Sequence, residues 1–160
     1  DDVESRLVKH EWNISSLKRA QTAPDPPPAH NVVALRSTAR DSYLCGRLSD
    51  ARRLCRTAID ELSGGADDVS TGFEEVMQRA ETMYELGLIL IAEENLLEAQ
   101  EACMGALLEI KDDGGQVDDL RAKILNTLGS ICRDRGDQVS AKEFSNAGID
   151  LWLSKMTPCE

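Results

Sequence analysis

The fold of this chain is decided by residues 80–110, which read AETMYELGLILIAEENLLEAQEACMGALLEI. Apolar side chains recur every three or four residues on both sides of a polar interruption, Glu93-Glu94-Asn95. This period matches an α-helix and differs from the two-residue period of a β-strand. The segment therefore predicts two amphipathic helices joined by a short turn, which together form a helical hairpin.

The second helix of this hairpin has two counterparts elsewhere in the chain. Residues 46–62 read GRLSDARRLCRTAIDEL, residues 94–110 read ENLLEAQEACMGALLEI, and residues 136–151 read GDQVSAKEFSNAGIDL. In the alignment, small residues coincide at Ala51, Ala99 and Ala141, and seven positions later at Ala58, Ala106 and Gly148. A spacing of seven keeps both small residues on one helix face, where they allow another helix to approach closely.

The first helix of each pair carries a matching signal. Met83 to Gly87 and Leu125 to Gly129 both read apolar-x-x-Leu-Gly, and each Gly lies twelve residues before the aligned Ala. The chain thus resembles the tetratricopeptide repeat (TPR) family. The resemblance covers residues 80–113 throughout and residues 122–155 with their Gly136-Asp137 turn.

The first repeat is a weaker match, in which residues 32–65 share only Leu35, Ala39, Gly46, Ala51 and Ala58 with the pattern. The aligned Ala residues are 48 and then 42 positions apart, against about 34 in the family. This longer period is similar to that of the kinesin light chain repeats. The resemblance implies an all-α protein, a right-handed α-α superhelix of about three hairpins.

Breaker residues divide the chain into segments. The sequence predicts an N-terminal amphipathic helix within residues 1–23, a Pro-rich linker at 24–30 and the repeat domain at 31–157. The N-terminal helix either docks across the first repeat or binds a partner. The predicted helices span residues 2–21, 31–45, 48–62, 72–92, 95–111, 117–134 and 138–155.

Charge is distributed unevenly along the chain. Residues 31–59 carry six Arg and two Asp, whereas residues 60–120 carry seventeen carboxylates and two cations. The acidic middle disfavours binding to nucleic acid or anionic membranes, and no apolar run is long enough to span a bilayer. The Arg-rich first hairpin is either a solvated face with intrahelical ion pairs or an anion-binding surface.

Five Cys without a zinc-like spacing predict free thiols, most of them buried, so we expect no metal and no cofactor. His10 and His30 belong to no recognisable nucleophile motif, and no phosphate-binding Gly-rich loop occurs. The sequence therefore predicts a protein without catalytic activity. The Asp1 start is typical of a processed chain, which leaves import into an organelle and a cytoplasmic location as alternatives.

The TPR resemblance implies a binding groove on the concave face, lined by the first helix of each hairpin. Carried over to this sequence, the groove residues are Arg36, Arg40, Tyr43, Tyr84, Leu88, Ile91, Asn126 and Arg133. Val33, Glu81, Lys123 and Ser130 occupy further groove positions. We expect an extended or helical peptide with an apolar centre and acidic groups towards its ends, held by Arg and anchored by Tyr.

The resulting expectation is a protein–protein interaction scaffold, either a peptide-binding adaptor or an accessory or assembly subunit of a larger complex. The alternative is a regulatory TPR domain of a larger enzyme. Finding a catalytic domain in a longer chain would favour this alternative over a scaffold.

Overall fold

The computed structural model describes residues 31–63, 72–110 and 117–156. Their elements are α-helices joined by turns, with no strand among the described residues, which confirms the predicted all-α class. The helices are α1 Val32–Leu44, α2 Leu48–Ser63, α3 Phe73–Ala92, α4 Leu96–Glu109, α5 Asp118–Asp134 and α6 Gln138–Met156. The predicted N-terminal helix, the Pro-rich linker and most of the two inter-hairpin loops lie outside the described residues.

The helices pack in the order in which they occur. The pairs α1–α2, α3–α4 and α5–α6 are hairpins, while α2 packs against α3 and α4 against α5. Helix α3 also contacts α5. Each hairpin therefore buries its apolar stripe partly within itself and partly against its neighbour, as stacked helical repeats do.

The turns inside the three hairpins share one backbone geometry. Each places one residue in the left-handed region: Gly46 (φ 76°), Glu94 (φ 60°) and Gly136 (φ 85°). The next amide then donates back to the preceding helix, from Arg47 to Ser42 O (2.9 Å), Asn95 to Leu90 O (2.9 Å) and Asp137 to Cys132 O (2.8 Å). This is a Schellman-type helix end, and it falls at the aligned position of every repeat.

Side-chain caps begin several of the helices. Asn31 Oδ1 accepts from the Ala34 amide at 3.1 Å, and Asn95 Oδ1 accepts from the Glu98 amide at 3.4 Å. Asp137 Oδ1 accepts from the Ser140 amide at 3.1 Å. Hydrogen bonds from the Ser140 side chain and amide lower the pKa of Asp137, because they favour the charged carboxylate.

The core follows the aligned small residues. Ala51, Ala58, Ala99 and Ala106 are fully buried, and large aliphatic side chains fill the spaces around them: Leu90, Ile110, Ile124, Leu128 and Ile131. Cys55, Cys103 and Cys132 are buried, Cys45 is half-buried, and all four are free thiols, as predicted. Cys159 lies outside the described residues.

Complementary charges join the first hairpin to the second. Arg52 on α2 pairs with Glu93 at 3.1 Å, and Arg56 on α2 pairs with Glu98 on α4 at 2.8 Å. These pairs run between hairpins, unlike the intrahelical pairs that the sequence suggested, whereas Arg53 does pair with Asp50 of its own helix. The basic and acidic segments of the sequence thus face each other across the α2–α3 joint.

Candidate functional site

A cavity of about 440 Å³ opens where α1, α3 and α5 lie side by side. Apolar side chains form most of its wall: Tyr43, Leu44, Cys55, Tyr84, Leu88, Ile89 and Leu120. Charged side chains lie among them: Arg36, Arg40, Glu81, Glu85 and Lys123. A concave, mainly apolar site with a few polar groups is the usual form of a ligand site. We call it the interhelical cavity.

The interhelical cavity brings together part of the predicted groove. Five of its residues were expected from the repeat pattern: Arg36, Arg40, Tyr43, Tyr84 and Leu88. Of the further groove positions, Glu81 and Lys123 line the cavity as well, whereas Val33 and Ser130 do not. The first helices of all three hairpins therefore contribute to one site.

Three predicted groove residues lie elsewhere. Ile91 is partly buried and packs against the hydrophobic core. Asn126 lies against α6, because a Cβ atom on Gly148 would come within 2.7 Å of its Oδ1. Arg133 lines a separate depression at the start of α6, together with Gln138, Val139 and Lys142.

Arg36 is held by carboxylates of the protein itself. Its Nη2 donates to Glu81 Oε2 at 2.9 Å and to Glu85 Oε1 at 3.2 Å, and its Nε donates to Glu85 Oε2 at 3.3 Å. Burial lowers the pKa of Arg36, but hydrogen bonds and attraction to Glu85 and Glu81 outweigh it, so the pKa is raised. The guanidinium is charged and already has bidentate carboxylate contact.

The other two cations of the cavity are more accessible. Arg40 donates to Glu85 Oε1 at 2.5 Å, yet 64% of its side chain is exposed. Lys123 is exposed on α5. Because Arg36 is engaged by Glu81 and Glu85, Arg40 and Lys123 are the cations with room for an outside carboxylate.

Tyr84 links the walls of the cavity. Its hydroxyl lies 3.4 Å from the hydroxyl of Thr127 on α5, and its ring is half-buried. Tyr43 across the cavity is 37% exposed. The two aromatic rings thus offer partly open apolar surface from opposite helices, the kind of side chain that anchors protein contacts.

Glu85 is the charged residue of the site that sequence reasoning missed. It accepts from both Arg36 and Arg40, so it is the centre of the charge cluster. A signal was present: Arg36 and Arg40 are four residues apart on α1, and Glu81 and Glu85 are four residues apart on α3. Such spacings place like charges on one helix face, so two facing stripes of opposite sign could have been predicted.

The chemistry of the interhelical cavity offers no thiolate nucleophile. Burial raises the pKa of Cys55 to about 12, with a further rise from the Glu85 charge and an opposing effect of Arg36. At neutral pH this side chain is a thiol, which is a poor nucleophile. Among the residues that the structure describes, no group of three or more His, Cys, Asp or Glu could hold a metal ion.

No protein-family model matches the chain, and no curated protein is similar to it in sequence. Helices α1 to α6, as far as they are described, include none that is long and apolar enough to cross a membrane.

Proposed function

We propose that this protein is a noncatalytic protein–protein interaction scaffold of the TPR type, whose hairpins α1–α2, α3–α4 and α5–α6 form a right-handed superhelix. Support comes from the repeated left-handed turn at Gly46, Glu94 and Gly136 and from the stacking of successive hairpins. In such a superhelix α1, α3 and α5 line the concave face, and the interhelical cavity lies on that face.

The single observation that carries the proposal is the combination of apolar wall and accessible cations in the interhelical cavity. The ligand is a peptide segment of another protein, extended or helical. An apolar side chain of the peptide packs between Tyr84 and Leu88, and its acidic groups pair with Arg40 and Lys123. Arg36 holds α1 and α3 at the right separation and does not bind the ligand.

A charge-reversal pair tests this proposal. Arg40 and Arg53 are both 64% exposed, and each has a carboxylate partner, but only Arg40 lines the interhelical cavity. Peptides are selected from a random display library on the wild-type protein, and their affinities are measured by fluorescence anisotropy. Arg40→Glu is expected to weaken binding about tenfold or more, whereas Arg53→Glu leaves it nearly unchanged.

Two results would contradict the proposal. One is the failure of a diverse library to yield any saturable binder. The other is equal loss of affinity in Arg40→Glu and Arg53→Glu, since that would indicate general attraction between an acidic peptide and a basic hairpin. Circular dichroism of each variant checks that helicity is unchanged.

A second version of the scaffold role is favoured by α6, where Ile149, Trp152 and Leu153 are each at least half exposed. In this version the chain is an accessory subunit of a larger complex, attached through its outer faces. The regulatory domain of a larger enzyme remains the alternative, and the same two surfaces would serve it.

A further inference from the structure

Helix α6 exposes an apolar stripe that its counterparts α2 and α4 do not. We align the three helices on Ala51, Ala99 and Ala141. Ile149 corresponds to Ile59 and Leu107, which are partly buried and pack against the core, but Ile149 itself is 53% exposed. Trp152 corresponds to Ile110, which is fully buried, yet Trp152 is 57% exposed.

The difference arises because α2 and α4 each have a further helix packed on their outer face. Helix α2 packs against α3, and α4 packs against α5. Arg121 of α5 also donates to the carbonyl of Ile110. The inner face of α6 is filled as in the other hairpins, because Ala141 and Gly148 are buried against α5. Its outer face has no such neighbour within the described part of the chain.

A polar contact recurs at each of the two existing joints. Arg52 on α2 pairs with Glu93 in the turn of the second hairpin at 3.1 Å. At the aligned position of α4, Gln100 accepts from Arg135 in the turn of the third hairpin. Lys142 occupies this position on α6, where it is exposed. By the same geometry, Lys142 is placed to pair with a carboxylate at the end of a docked helix.

We propose that the outer face of α6 is a docking site for an amphipathic α-helix of a partner protein, which covers Ile149, Trp152 and Leu153 and places a carboxylate on Lys142. The partner helix stacks as α3 stacks on α2, because Ile149 and Trp152 repeat positions that are at least partly buried in α2 and α4. Aromatic and aliphatic anchors beside one complementary charge are typical of helix recognition.

A second copy of this chain is a poorer occupant. Its first hairpin would present Cys45 at the turn position held by Glu93 and Arg135, so Lys142 would gain no carboxylate. Helix α1 also has Ala34, Thr38 and Asp41 where the buried face of α3 has Thr82, Leu86 and Ile89. A polar face of this kind does not match an apolar stripe.

The chain itself supplies a probe with the required chemistry. A labelled synthetic peptide of residues 72–95 contains α3, the helix that packs against α2, and ends just after Glu93. Its binding to the full-length protein is followed by fluorescence anisotropy. Trp152→Ser is expected to weaken binding about tenfold or more, while Leu108→Ser, at a comparably exposed Leu on α4, leaves it nearly unchanged.

Charge exchange then tests the register. Lys142→Glu in the protein is expected to weaken binding of the peptide several-fold, and Glu93→Lys in the peptide restores it. This result would support docking of the peptide on α6. A peptide that instead replaced α3 of the protein would lie beside Arg52 and would not respond to Lys142. All three protein substitutions, Trp152→Ser, Leu108→Ser and Lys142→Glu, lie at exposed positions, and circular dichroism checks that the fold is kept.

Three outcomes would overturn the proposal. They are the absence of saturable binding, binding that is unchanged by both Trp152→Ser and Lys142→Glu, and self-association of the protein that disappears with Trp152→Ser in sedimentation velocity. The last would make a second copy the occupant of the face. Trp152 and Lys142 do not line the interhelical cavity, so the response to their substitution separates this proposal from the one for the cavity.

Discussion

Gly87 lies where α3 packs closely against α4. A Cβ atom at this position would be 2.6 Å from the Sγ of Cys103, a distance that real Cβ atoms do not reach. Gly129 has the same role in the third hairpin, because a Cβ there would be 2.6 Å from Ser145 Oγ and 3.2 Å from the Ala141 carbonyl. The Gly of the apolar-x-x-Leu-Gly signal is therefore required by the close packing of two helices.

We predict that Gly87→Ala destabilises the protein although Ala favours helices. The new methyl group must displace the fully buried Cys103 side chain, and overpacking of this kind costs about 1–3 kcal/mol. Gly105→Ala is the control, since its Cβ would lie 3.5 Å from Met83 Sδ, and we expect it to stabilise by up to about 1 kcal/mol. Urea unfolding followed by circular dichroism measures both. Equal effects of the two substitutions would contradict the packing argument.

At the scale of the helices, an ion-pair cluster holds α1 against α3. Arg36 is 16% exposed and Glu85 is 20% exposed, so water screens their attraction only partly. Arg56 and Glu98 form a comparable pair between α2 and α4, but these side chains are 53% and 45% exposed. The two pairs differ in burial and also in hydrogen bonding, since Arg36 makes two hydrogen bonds to Glu85 and Arg56 makes one to Glu98. Exposed ion pairs contribute little to stability, so the Arg56–Glu98 pair serves as the reference for the more buried Arg36–Glu85 pair.

We predict that a double-mutant cycle with Arg36→Met and Glu85→Gln gives a coupling of about 1–2 kcal/mol. Each single substitution leaves a partly buried charged or polar group short of a partner, whereas the double substitution removes both. The cycle with Arg56→Met and Glu98→Gln is expected to give less than about 1 kcal/mol. Free energies of unfolding from urea titrations supply both values. A coupling no larger for the Arg36 cycle would contradict the expected combined effect of burial and the additional hydrogen bond.

At the scale of the whole molecule, protection should be greatest in the middle. Residues of α3, α4 and α5 are covered from both sides, with Leu90, Cys103 and Leu128 all at most 1% exposed. Helix α6 packs against α5 and has an exposed outer stripe. In a stack of repeats, each hairpin is stabilised by its neighbours, so the helix covered on one side opens first.

We therefore predict that amides of α6 exchange with deuterium about tenfold or more faster than those of α4 in native conditions. Hydrogen exchange with mass spectrometry at peptide resolution measures this. Slow exchange throughout α6 would mean that the outer stripe is covered in solution.

The sequence predicted the helices of the repeat domain to within about two residues, because their signals are local. Apolar residues at helical spacing, the small residues at Ala51, Ala99 and Ala141, and the turns near Gly46 and Gly136 all act within one hairpin. Helix periodicity and turn chemistry depend on neighbours close in the chain. The same reasoning predicted buried free thiols at Cys55, Cys103 and Cys132.

The tertiary structure decides which side chains line the interhelical cavity and which of them pair with each other. Whether Arg36 faces a ligand or Glu85 depends on the position and rotation of α1 relative to α3, which α2 sets by packing against both helices. Asn126 and Arg133 share repeat positions with cavity residues, yet the packing of α5 turns them towards α6 and its depression. Exposure of Trp152 likewise depends on which helix lies beside it, and spacing along a single chain does not encode that.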